Sequence, residues 1–310
     1  MSTASTLSRF RCACAALAAA ALLLHAGCAG LPPGGATPRQ AEVNGARLAY
    51  VEQGRGAPLV LVHGSIADHR SWDRQRELLA RDFHVVAYSQ RYFGPQPWQA
   101  GWPKIGVPSQ SEDLTAFLRG LGAGPVHLVG WSSGGTVVLN VALQHPELVK
   151  SAFVYEPPLA SAVPEGAERQ AVSDDRAAAF GPAVDALKRG DQGQALGLVL
   201  DAVDGRAGTL ERWPPAVSAV ARDNARTLPL EFFDSDSTPP ITCAQLGRLQ
   251  PPVAVARGEL TRVSYRLMAD AVAACVPGSR RVVVPRARHL WPADEPQAFS
   301  EAVRSFVKAQ

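Results

Sequence analysis

The stretch Val126-His127-Leu128-Val129-Gly130-Trp131-Ser132-Ser133-Gly134-Gly135 decides the reading of this chain. An apolar run suited to a buried strand leads directly into Gly130-Trp131-Ser132-Ser133-Gly134, a G-x-S-x-G, and then into a helical pattern over 133–144. A serine on so tight a strand-to-helix turn needs small residues at the neighbouring contact points, and the flanking glycines supply them. The hydroxyl then projects from the end of the strand, and the next backbone N–H, from Ser133, opens the helix.

Outward from that stretch, apolar runs alternate with helical patterns. Strands are expected at 46–51, 58–63, 84–89, 126–130, 152–155, 253–257 and 281–285. Helices are expected at 71–80, 110–121, 133–144, 264–274 and 296–308. Continuous apolar strands suit a sheet buried on both faces. The alternation predicts an α/β fold, a doubly wound and mostly parallel sheet with helices on both sides. One segment breaks the rhythm. Residues 157–240 carry no clear strand signal but helical stretches near 176–189, 192–202 and 215–224, so they read as a helical cap inserted between two strands. The core is then 43–156 and 241–310.

The N-terminus reads as an export signal over residues 1–27. Arg9 and Arg11 precede an alanine-rich apolar run, Cys12 to Leu24, that at about 13 residues is too short for an ordinary membrane span. Leu24-His25-Ala26-Gly27-Cys28 resembles a bacterial lipobox, departing from it at His25. Two outcomes stand open: lipidation of Cys28 as a membrane tether, or cleavage near Ala29 and release. Residues 28–42, rich in Pro and Gly, read as a flexible tether. Both outcomes place the folded part outside the cytoplasm, periplasmic or membrane-anchored.

Three of the five cysteines lie in this N-terminal region, leaving Cys243 and Cys275 for the fold. An oxidising compartment permits a disulfide between them. A strand and its returning helix bring the two positions to one edge of the sheet; two buried free thiols are the other reading. The formal charge of +3 is nearly balanced, with no basic cluster outside the N-terminus, which gives nucleic-acid binding no support. His and acidic residues do not fall into metal-ligand spacing, and no cofactor is expected.

Together these residues resemble the α/β-hydrolase superfamily over roughly 43–309. Leu59-Val60-Leu61-Val62-His63-Gly64 is similar to its strand-plus-HG oxyanion motif, and Arg286-Ala287-Arg288-His289 is similar to its terminal histidine loop. The resemblance implies Ser132 as nucleophile and His289 as base. Of the seven histidines, only His289 falls in the loop after the last strand. It further implies an oxyanion hole from the backbone N–H groups of Ser65 and Ser133. A serine hydroxyl is a poor nucleophile at neutral pH, so it needs a base, and the base needs a third group to orient it.

The acid departs from the common family pattern. The strand leaving the cap ends Arg257-Gly258-Glu259-Leu260-Thr261, and Thr261 holds the expected position. Either the carboxylate is missing or it comes from another strand end. Glu156, in Tyr155-Glu156-Pro157-Pro158, offers the second, since some superfamily members carry their acid at that strand end. Glu259 is the alternative. The implied activity is serine hydrolysis of an ester or related acyl bond of a small molecule. A C–C, lactone, thioester or amide substrate, or a non-catalytic binding role, remain competing readings. Arg91 in Ser89-Gln90-Arg91-Tyr92-Phe93-Gly94 fits an arginine position of the family. The aromatics there, with Trp98 and Trp102, are expected either to line an entrance or simply to pack.

Overall fold

The computed structural model describes residues 37–236 and 241–310. The expected signal segment, and Cys28 with it, lies outside the described residues. Eight strands form one sheet among those residues: β1 (Arg39–Val43), β2 (Ala46–Gln53), β3 (Pro58–Val62), β4 (His84–Tyr88), β5 (Val126–Trp131), β6 (Val149–Tyr155), β7 (Val253–Gly258) and β8 (Arg280–Val284). Their order is β1-β2-β4-β3-β5-β6-β7-β8. The pairs β1–β2 and β2–β4 are antiparallel, and every pair from β4 to β8 is parallel. The sheet therefore begins at Arg39, inside the segment 28–42 expected to be tether.

The chain winds from β3 outward to β4 and then crosses back to β5 on the other side of β3. That reversal leaves a crevice at the carboxyl ends of β3 and β5, where α/β sheets place their ligands. All six residues of β5 are buried, as expected for a central strand covered on both faces. Val60 and Val62 of β3, Leu128 of β5 and Val154 of β6 share one apolar core with Val137, Val138 and Val141 of the helix Ser133–Gln144. At Gly134 the helix presses on β3: a Cβ there would stand 2.3 Å from the His63 carbonyl oxygen. Only a glycine permits that approach.

Between β6 and β7 lie the helices Ala167–Lys188, Gln192–Asp204, Thr209–Arg212, Pro215–Asn224 and Leu228–Phe233, ahead of a short helix at Cys243–Leu246. They have an apolar cluster of their own, including Leu187, Leu196, Val199, Leu200 and Leu228. Ile66, from the loop after β3, belongs to the same cluster. The helix Ala167–Lys188 starts well before the expected residue 176. Its first half buries little besides Val172, so it lacks the apolar stripe that sequence patterning detects. Cys243 opens the short helix Cys243–Leu246, and Cys275 ends the helix Val263–Cys275. The two are bridged, with Cα atoms 5.1 Å apart.

Candidate active site

Ser132 follows β5 with φ 54° and ψ −127°, a left-handed backbone that a non-glycine residue rarely adopts. Its N–H donates to the Tyr155 carbonyl at 2.9 Å, tying the turn to the end of β6. The His63-Gly64 loop lies directly against it, since a Cβ on Gly64 would come within 3.0 Å of Ser132 Cβ and 3.7 Å of Ser132 Oγ. Ser65 and Ser133, on either side of the crevice, bring their hydroxyl oxygens to 3.4 Å. Ser133 opens its helix, so its N–H has no acceptor within the helix.

His63 holds the loop in place. The Gln90 N–H donates to His63 Nε2 at 3.0 Å, which leaves the proton on Nδ1 to donate to the Gly64 carbonyl at 2.7 Å. Burial pushes its pKa down to about 4, so the ring is a neutral strut. Arg91 is likewise structural. It makes two 2.7 Å hydrogen bonds to Asp113 in a buried ion pair. Tyr92 packs edge-on against both Trp98 and Trp102, and Phe93 packs edge-on against His63.

His289 lies in the loop after β8 and is buried. Its Nδ1 is 2.7 Å from Glu156 Oε2. A carboxylate only accepts, so the proton of this bond sits on Nδ1, and Nε2 keeps a lone pair. Glu156 follows β6 with φ 47° and is fully buried. Two more donors hold its carboxylate: the Gly258 N–H at 2.7 Å to Oε1, and the Thr261 hydroxyl at 2.9 Å to Oε2. Glu259, the alternative acid, is exposed and accepts from the Arg286 N–H at 2.9 Å. The structure thus brings His289, Glu156 and Thr261 together and leaves Glu259 outside.

Three aromatic residues that sequence reasoning missed position the histidine loop. Trp131, just before Ser132, donates its indole N–H to the His289 carbonyl at 3.0 Å. Tyr155, just before Glu156, donates its hydroxyl to the Arg288 carbonyl at 2.6 Å. Tyr265 stacks on the His289 ring, centroids 3.9 Å apart and planes within 17°. The first two were discoverable from their places beside the candidate residues; Tyr265, on a distant helix, carried no local signal.

A family model described as alpha/beta hydrolase fold matches residues 57–296. The chain also resembles (E)-2-((N-methylformamido)methylene)succinate hydrolase of Acinetobacter baylyi, 30% identical over 105 residues, covering 33% of this chain and 38% of that protein. Across four curated relatives the chain matches between 22% and 41% of their length. A solved hydrolase from Pseudomonas aeruginosa is 27% identical with TM-score 0.63, over 89% of this chain and 99% of that one. An esterase from Thermogutta terrifontis is 24% identical with TM-score 0.66, over 88% and 99%. With the family model spanning β3 through the histidine loop, the chain belongs to the alpha/beta hydrolase fold family.

Proposed function

We propose that this protein is a serine hydrolase that cleaves an ester or related acyl bond through a Ser132-His289-Glu156 triad. One observation carries the reading: the 2.7 Å contact between His289 Nδ1 and Glu156 Oε2, in a loop whose His289 carbonyl accepts from Trp131, the residue before Ser132. Glu156 fixes the tautomer that leaves Nε2 free as a base. His289 takes the Ser132 proton as the hydroxyl attacks the substrate carbonyl. The N–H groups of Ser65 and Ser133 receive the oxyanion. His289 returns the proton to the leaving group, and a water activated in the same way releases the acyl group from Ser132. A non-catalytic role drew its support from the threonine at 261; with Glu156 beside His289, that support is gone.

The helices between β6 and β7 serve in this reading as a cap over the site. Residues 1–27 act as an export signal, and Cys28 as a lipid anchor or a site near cleavage. The bridged Cys243 and Cys275 fit an oxidising compartment. A fluorophosphonate probe is the direct test. It labels the wild-type protein on Ser132 and leaves Ser132→Ala unlabelled. A correctly folded wild type that takes up no probe overturns the proposal. A panel of p-nitrophenyl esters of graded chain length, run beside a lactone set, then ranks the bond types.

A further inference from the structure

One amide side chain joins three parts of the chain. Asn224 ends the helix Pro215–Asn224 and is fully buried. Its Nδ2 donates to Asp68 Oδ2 at 2.8 Å and to the Val220 carbonyl at 2.8 Å. Its Oδ1 accepts from the Gly94 N–H at 2.6 Å. Asp68 lies in the loop after β3, a short way beyond Ser65, and is itself fully buried. Gly94 lies in the loop after β4. A carboxylate only accepts and a backbone N–H only donates, so a side chain that meets both must do each in turn, as an amide can. Arg70 completes the node, pairing with Asp68 at 2.6 Å and with Asp223, the neighbour of Asn224, at 2.8 Å.

The loop after β3 is held under strain. Ile66, next to Ser65, has φ 49°, a backbone that a β-branched residue rarely adopts. Such a conformation persists only where its surroundings over-determine it. Two pins bracket it. At the near end, the Gln90 N–H donates to His63 Nε2 at 3.0 Å, and the Gln90 side-chain amide donates to the His63 carbonyl at 2.7 Å. At the far end, Asn224 and Arg70 hold Asp68. Gln90 and Gly94 share the loop after β4, so the bond from Gly94 to Asn224 ties the carrier of the near pin to the far one. Ser65 lies between the pins, its hydroxyl oxygen 3.4 Å from that of Ser133.

We infer that Asn224 is a positioning residue for the oxyanion hole, acting on the Ser65 N–H through Asp68 and Gly94. An oxyanion donor works only where it is held at hydrogen-bond distance from the place the charge will occupy. With the far pin cut, the strained turn at Ile66 relaxes and the Ser65 N–H swings from that place. The loss falls on the transition state, where the oxyanion exists, and not on the bound substrate. This inference rests on the proposed serine-hydrolase reading.

The test is kcat and KM for a short-chain p-nitrophenyl ester in wild type, N224D, N224S and D68N/N224D. N224D keeps an acceptor for the Gly94 N–H but sets a carboxylate oxygen against Asp68. N224S is neutral and too short to span the two loops, and it carries the test where N224D does not fold. Each single variant is expected to lower kcat by about tenfold or more. KM should stay within about twofold of wild type. D68N/N224D restores the bond with donor and acceptor exchanged and leaves an oxygen on residue 68 for Arg70, so it should recover at least about half of the loss in log kcat. Folded single variants with the wild-type kcat overturn the inference. So does a loss confined to KM, which marks a contact serving substrate binding, or a double variant no faster than N224D. Fluorophosphonate labelling of Ser132 in the same preparations separates the two readings. Labelled wild type beside unaffected variants removes only the Asn224 inference, whereas unlabelled wild type removes the hydrolase reading itself.

Discussion

The Thr261 hydroxyl donates to the Glu156 carboxylate at 2.9 Å, so the residue at the family's usual acid position is hydrogen-bonded to the carboxylate at the alternative one. Glu156 Oε2 takes this bond and the His289 bond together, while Oε1 takes the Gly258 N–H. A buried carboxylate needs such donors, because its desolvation is otherwise uncompensated. Glu156→Gln keeps the shape but places an amide against Nδ1, and the imidazole loses its orienting partner. A fall in kcat of about 10³–10⁴-fold is expected, with the far-UV spectrum unchanged. Thr261→Val removes one donor of three and should cost about tenfold. Moving the carboxylate back, by adding Thr261→Asp to Glu156→Gln, should recover part of the loss. Steady-state kinetics on the four proteins checks the series, and full activity in Glu156→Gln would rule out the assigned triad.

Tyr265 offers a separate handle on the same imidazole. Its ring lies flat on His289 at 3.9 Å, limiting the swing of the base without bonding to it. Tyr265→Phe keeps the stacked face and should leave kcat/KM within about twofold. Tyr265→Ala opens a void beside the base and should lower kcat by about tenfold or more, along with a stability loss of about 3–5 kcal/mol. Comparing kcat with the urea midpoint for both variants distinguishes loss of ring support from general unfolding.

Acid should weaken the fold through His63. In the folded protein its pKa is lowered to about 4 by burial, against 6.5 for the free side chain. The unfolded chain therefore takes up the proton first. The stabilising contribution is complete above about pH 6.5 and is lost as pH falls toward 4. The shift corresponds to about 3 kcal/mol. His127, also lowered to about 4 by burial, acts in the same direction. Urea unfolding at pH 7 and pH 4.5 should show the loss, and His63→Gln should make it shallower. Equal stability at the two pH values would refute this account.

The Cys243–Cys275 bridge closes a segment of 32 residues. In the chain-entropy description, such a loop is worth about 3–4 kcal/mol through its effect on the unfolded state. Reduction, or Cys275→Ser, should therefore lower the thermal midpoint while leaving kcat close to wild type, because neither cysteine touches the candidate site. Thiol counting under denaturing conditions, before and after reduction, checks that the bridge is present.

The sheet was legible because its central strands are covered on both faces and so read as continuous apolar runs. β1 escaped notice: Arg39–Val43 is largely exposed and has no run to detect. The meeting of His289 with Glu156 was legible because each follows a strand end beside a recognisable motif. Tyr265 was not. Its significance comes from a contact across a long stretch of chain, with His289, and no local pattern encodes such a meeting.

Ser132 and Glu156 both belong to the single strand–helix–strand unit 126–156, and that unit is complete before the chain enters the helices that follow β6. The spacing of Ser132 and Glu156 is thus inherited as one contiguous piece. Changes confined to the helices between 167 and 233 leave that unit's own sequence untouched. A lineage built this way can try new lids over an unchanged serine–carboxylate frame, and an engineer can do the same by grafting.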